Sequence, residues 1–261
     1  MPITKRPLPF GEWRPDIALL DNEFASEAEN VFAGVNSYKP FPRLEPIALA
    51  SLMTGTGNDQ YTKIMLHLDG ADGPVSSAAI IDNAAGATAP AHSWTAVGAT
   101  IQLETANKKF GSASLLLSGS GEWLSIPDHN DFSLGNNNFT IECWCNPATS
   151  GTLLYIAAQA DLSQTAAGSS FFISRTAANQ VEANVSTGVG FVTLTGTSTT
   201  FTAGTWRAIA LERTGNTLTL YMDGAIEATA TFSGVVPNST RTFRIGAGGE
   251  LSANPVFPAD V

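Results

Sequence analysis

The chain has 261 residues, a formal net charge of −10, and 43% hydrophobic against only 14% charged residues. That balance excludes a disordered chain, which trades apolar residues for charge. Its 13 Lys and Arg residues are scattered rather than striped, which argues against nucleic acid or an anionic membrane surface as a partner.

Residues 1–50 carry seven of the 14 prolines: Pro2, Pro7, Pro9, Pro15, Pro40, Pro42 and Pro46. Proline fixes φ and removes a donor, so this stretch cannot be an interior sheet. It also carries Phe10, Trp13, Phe24, Phe32, Tyr38 and Phe41, which a solvated linker would not expose. The reading is an extended docking arm that lies along a protein surface. A short helix is expected inside it. Asp21 or Asn22 would cap that helix, Phe24, Ala28, Val31 and Phe32 would share one face, and Gly34 would stop it. The start of the chain, from Met1 to Pro7, lacks the apolar core of a signal peptide, and no apolar run is long enough to span a bilayer.

Residues 51–61 read as a linker. From Thr62 onward, short strand patterns alternate with Gly and Asn turns. Lys63–Leu68 reads as a strand ended by Asp69-Gly70. Ser114–Leu117 and Glu122–Ile126, separated by Ser-Gly-Ser-Gly, read as a hairpin. Phe139–Cys145 alternates, and Trp206–Arg213 and Leu218–Met222 follow, the last closed by an Asp223-Gly224 turn. In these strands Leu218, Leu220 and Met222 are expected in the core, with Thr219 and Tyr221 outside. Such regular short strands without a helical period predict an all-β, two-sheet antiparallel jelly-roll sandwich over 62–261. Cys143 and Cys145 fall on one strand face. Same-face neighbours stand about 7 Å apart, whereas a disulfide needs Cβ atoms about 4 Å apart, so buried, reduced thiols are expected.

Several motifs in order then resemble the laminin-G-like, concanavalin-A-like superfamily. They are Leu66-His67-Leu68-Asp69-Gly70, Lys109-Phe110-Gly111-Ser112-Ala113-Ser114-Leu115, Gly121–Pro127, Phe139–Trp144, Gly204–Ala210, Leu218–Gly224 and Phe243-Arg244-Ile245-Gly246. The resemblance implies two curved antiparallel sheets packed face to face. It also implies a closing strand after the Arg-Ile-Gly motif. The chain instead runs through Leu251–Val261 as a loop, so the closing strand reads as lacking, its place to be filled by the arm or a neighbouring subunit. Members of the superfamily sometimes hold a structural calcium ion, and the matching early positions here are Asp69 and Asp72. No cofactor is otherwise implied. The arm, through Pro7–Asp16, Leu20-Asp21-Asn22 and Tyr38–Pro42, resembles the start of tailed-bacteriophage structural proteins.

Catalytic patterns are absent from the sequence. Glycosidases on this fold carry a Glu-x-Asp-x-x-Glu run, which does not occur, and Glu142 reads as a solvent-facing alternate. His67, His92 and His129 show no zinc-type spacing, and there is no Gly-x-Ser-x-Gly or Walker-type loop. Sugar binding would need an aromatic platform, for which Trp94, Trp123, Tyr155 and Tyr221 are the candidates. The expectation is a non-enzymatic virion structural protein, made in a host cytoplasm. It would join other virion proteins, and copies of itself, through residues 1–50, and its sandwich would touch host-surface glycans. A free carbohydrate-binding module is the alternative reading.

Overall fold

The computed structural model describes residues 61–84, 86–87, 92–118, 121–161 and 163–248, and the backbone pairing of 31–33, 38–40 and 259–260. The chain divides into two compact units, Met1–Gly57 and Asn58–Val261. In the first unit, β1 (Val31–Ala33) pairs antiparallel with β2 (Tyr38–Pro40), and Phe32 stands opposite Lys39. This corrects the expected helix, at least at its end: Val31 and Phe32 lie on a strand. Gly34 lies outside the described residues. The earlier helix positions, and Phe10, Trp13, Phe24 and Phe41 of the arm, lie outside the described residues.

The second unit holds two antiparallel sheets with almost no helix, as the strand spacing predicts. One sheet runs in the order β12 (Phe191–Thr195), β11 (Val181–Ser186), β10 (Phe171–Arg175), β9 (Leu154–Gln159), β16 (Phe243–Ile245), β7 (Trp123–Ile126) and β4 (Thr95–Val97). The other runs β15 (Ala225–Thr231), β14 (Thr217–Met222), β13 (Arg207–Thr214), β8 (Phe139–Pro147), β17 (Ala259–Asp260), β6 (Ser114–Leu116), β5 (Gln102–Glu104) and β3 (Gly73–Pro74). The main apolar core lies between them. Leu115, Ile209, Leu211, Leu218 and Leu220 enter from one side, and Leu124, Ile156, Ile173, Val185 and Phe243 from the other.

The meander β13–β14–β15 shows how sequence sets register. Leu218, Leu220 and Met222 are buried and alternate with half-buried Thr219 and Tyr221. Asp223 and Gly224 form the two-residue turn with φ of 53° and 78°. Both values are left-handed, the geometry whose twist matches adjoining strands, and Asp-Gly tolerates it best.

Three local expectations need correction. Ser114–Leu116 and Trp123–Ile126 are not a hairpin. β6 pairs with β5 and β17 in one sheet, while β7 pairs with β4 and β16 in the other, so the intervening glycine-rich segment carries the chain between layers. Leu115 and Leu124 then meet across the core instead of along one ladder. Lys63–Leu68 is not a ladder strand either. It makes a single bridge, Leu66 to Asp82, and Leu68 has φ of 54°. Finally, the place between β6 and β8, read from sequence as lacking its strand, is taken over two residues by Ala259–Asp260. Asp260 pairs with Leu116 on one side and Asn146 on the other.

Candidate functional site

The register of β8 against β13 decides which side chains leave the core. Cys145 is fully buried, and Cys143 and Ile141 pack against the core, so Glu142 and Trp144 project from the outer face. Trp144 stands opposite Ala208, and Glu142 opposite Ala210. Small residues on β13 leave room above the sheet there. The loop between β5 and β6 fills part of it. Phe110 packs edge-on to Trp144 at 5.4 Å, and the Lys109 ammonium sits 4.2 Å from the Trp144 ring centre. Asn107 Oδ1 accepts the Trp206 indole N–H at 3.2 Å and the Asn146 amide at 3.3 Å.

The result is an outer platform of Phe110, Trp144 and Trp206 bordered by Lys109 and Asn107. Phe110 is 64% exposed and both tryptophans are half-buried. Exposed apolar rings beside an ammonium and an amide suit the face of a sugar, which presents C–H groups on one side and hydroxyls around its edge.

The four aromatic residues expected to form a platform do not come together. Trp94 is buried at 4% exposure and its indole N–H donates to Asp82 Oδ2 at 3.3 Å. Tyr155 is buried at 5%, in a small cluster with Phe172 and Ala158, and its hydroxyl donates to Gln164 Oε1 at 3.0 Å. Both are therefore removed from any glycan-contact role by burial. Trp123, on β7, is half-buried beneath the Arg244 guanidinium, 5.3 Å from its ring. Tyr221, on β14, donates to Glu212 Oε2 at 3.0 Å, and that bond raises its phenol pKa above the ordinary value.

Asp69 and Asp72 tie the segment before β3 to the loop between β5 and β6. Asp69 Oδ1 accepts both the backbone N–H and the hydroxyl of Ser112, and Asp72 Oδ1 accepts the N–H of Thr105 at 2.6 Å. Among the described residues no third His, Cys, Asp or Glu joins them in a ligand cluster. Calcium takes six to eight oxygens, so this pair does not by itself make a calcium site. These hydrogen bonds account for both side chains.

Two carboxylates do share the outer face. Glu142 is opposite Ala210, and Glu212 opposite Thr140, one register step away. Glu212 accepts hydroxyls from Tyr221 and Thr214, at 3.0 and 2.9 Å. The sequence spacing of 70 residues hid this neighbourhood, which the β8–β13 ladder creates.

A family model described as the concanavalin A-like lectin/glucanases superfamily matches residues 118–261, more than half of the chain. The chain belongs to this superfamily. Among solved structures of the same fold is the binding domain of Paraclostridial Mosquitocidal Protein 1. It has a TM-score of 0.51 and 13% identity, and the match covers 71% of this chain and 47% of that one. The botulinum neurotoxin serotype C1 binding domain has a TM-score of 0.48 and 14% identity, with 72% and 43% covered. Domain 4 of AbnA, a GH43 extracellular arabinanase from Geobacillus stearothermophilus solved with arabinotriose, has a TM-score of 0.48 and 16% identity, with 69% and 82% covered. The chain spans less than half the length of the two toxin binding domains. At such identities the likeness concerns the superfamily fold alone. No curated protein matches the chain. Among the described residues, no helix is long and apolar enough to cross a membrane.

Proposed function

We propose that this superfamily member is a non-enzymatic glycan-binding module, carried on a tailed-bacteriophage particle by its N-terminal residues 1–50. The observation that carries the binding role is the outer platform of Phe110, Trp144 and Trp206, flanked by Lys109 and Asn107. A stacked sugar ring would lie on the exposed Phe110 and the tryptophan edges. Lys109 and Asn107 would read its hydroxyls. The binding domain of Paraclostridial Mosquitocidal Protein 1 shares the fold.

The particle role rests on the proline-rich, aromatic arm. Its likeness to the start of tailed-phage structural proteins motivates it, and Phe10, Trp13, Phe24, Phe32, Tyr38 and Phe41 would supply the contacts. A displayed module of this kind would act as a homo-oligomer touching host-surface glycans.

Glycan-array binding by the full chain tests the first role. Retention on at least one glycan family is expected, with at least a ten-fold loss in Phe110→Ala, whose side chain is exposed enough to leave the fold intact. No retention on any glycan, or retention unchanged by both Phe110→Ala and Trp144→Ala, rejects it. Particle incorporation after removal of residues 1–50 tests the second, and unchanged incorporation rejects the anchor.

A further inference from the structure

Apart from the outer platform, the second unit contains a cluster of His and Asp side chains that the glycan-binding reading does not use. Asp82 lies in the segment bridged to Leu66, His92 precedes β4, and His129 and Asp131 lie at the 3-10 turn Asn130–Phe132. His92, Asp82 and Asp131 are nearly sealed from solvent, with side-chain exposures of 1%, 5% and 3%, while His129 keeps 20%.

The hydrogen bonds assign the lone pairs. Asp82 accepts from the backbone of Met65 and Ala84 through Oδ1, and from the Trp94 indole and His92 Nδ1 through Oδ2, at 2.9 to 3.3 Å. A carboxylate with four such neighbours is acceptor only, so His92 donates to it through Nδ1, and Nε2 is the ring atom left to ligate. His92 Nε2 faces Asp131 Oδ2 at 3.1 Å. His129 Nδ1 accepts the Asp131 N–H at 3.2 Å and lies 3.2 Å from the same Asp131 Oδ2. Three electron-rich atoms therefore converge, all within 4.8 Å of one another. Lys63 reaches Asp131 Oδ1 at 3.4 Å.

A metal ion can serve both nitrogen–oxygen contacts at once. Two of the three separations, 3.1 and 3.2 Å, match the about 3.3 Å between ligands of tetrahedral zinc at 2.0–2.1 Å, and all three atoms lie within 4.8 Å of one another. Asp82 behind His92 completes the carboxylate–histidine pair that orients a metal-binding imidazole.

We propose that His92, His129 and Asp131 form a binding site for one divalent transition-metal ion of the zinc class, with Asp82 holding His92 in register. His129 is the solvent-side ligand, and the Asp131 N–H that it accepts yields when the ion binds. The ion ties three segments distant in sequence, around positions 82, 92 and 130, to one point. The site is independent of the glycan platform, and its failure leaves that reading untouched.

The test is a cobalt titration of chelator-treated, full-length protein, followed by zinc competition. One equivalent of cobalt should produce the visible absorption of a tetrahedral site, and zinc should abolish it. His129→Ala, at the most exposed ligand, should weaken cobalt binding by at least ten-fold. Asp82→Asn should weaken it about ten-fold or more, in line with other second partners of metal-bound histidine. Cys143→Ser should leave the spectrum unchanged, excluding a thiolate site. Absence of the cobalt spectrum overturns the proposal. A spectrum that survives His129→Ala, or that is lost in Cys143→Ser, overturns it equally.

Discussion

Arg213 is a guanidinium at the core-facing end of β13, exposed by only 2%. It has no carboxylate partner among the described ion pairs. Instead it donates to three main-chain carbonyls: Nε to Gly215 at 3.0 Å, Nη1 to Gly135 at 2.9 Å and Nη2 to Gly234 at 2.9 Å. Its carbon centre also lies 4.8 Å from the Phe232 ring. One side chain thus pins the β13–β14 turn, the residue after the 3-10 turn region, and the segment following β15. Each carbonyl stranded by truncation costs about 1–3 kcal/mol. Three give about 3–9 kcal/mol, and water reaching the exposed Gly215 turn favours the lower end. Arg213→Ala should therefore cost about 3 kcal/mol, or roughly 6–12 °C in Tm for a domain of this size. Arg213→Met should cost nearly as much, because it restores volume but no donor. Arg213→Lys should recover part of the loss, since a single ammonium cannot match the planar fork. Urea unfolding followed by tryptophan fluorescence measures all three. If the Ala and Met variants both lie within about 1 kcal/mol of the parent, the clamp is not a stabilising device.

Cys145 is fully buried, and burial pushes its thiol well above the ordinary pKa, so the thiolate scarcely forms in the folded protein. Ellman's reagent should leave Cys145 unmodified in native protein, mapped by mass spectrometry, and react with both cysteines in urea; rapid native labelling of Cys145 would contradict the packing. The Ser112 N–H holds the Asp69 carboxyl below its ordinary value of 3.8. A depressed carboxylate contributes stability above its unfolded pKa and loses it as pH falls through the folded one. The stability difference between the parent and Asp69→Asn should thus be present at neutral pH, begin to fall near pH 3.8 and vanish only below the lower folded value. Calcium should not shift the melting temperature of either protein; a shift lost in Asp69→Asn would place an ion at the turn.

The meander from β13 to β15 was legible because its information is local. Alternation assigned Leu218, Leu220 and Met222 inward, and Asp223-Gly224 named its own turn. Part of the platform was legible too. Once Cys143 and Cys145 face inward, parity puts Trp144 outside with Glu142, although tryptophan in general favours burial. Trp94, of the same residue type, went the other way because Asp82 offered its indole N–H a buried acceptor. No local pattern carries that distinction.

The motifs of the sequence by themselves determined the fold class, the strand spacing and the faces of the long strands, since each depends on neighbours one or two residues away. Only the tertiary structure decided that 114–116 and 123–126 belong to opposite sheets and that Glu212 stands near Glu142. It also decided that Asp82, His92, His129 and Asp131 meet at one buried point. Those outcomes depend on which ladders form and how the layers stack. Chain-distant contacts leave no periodic trace in the residues that make them.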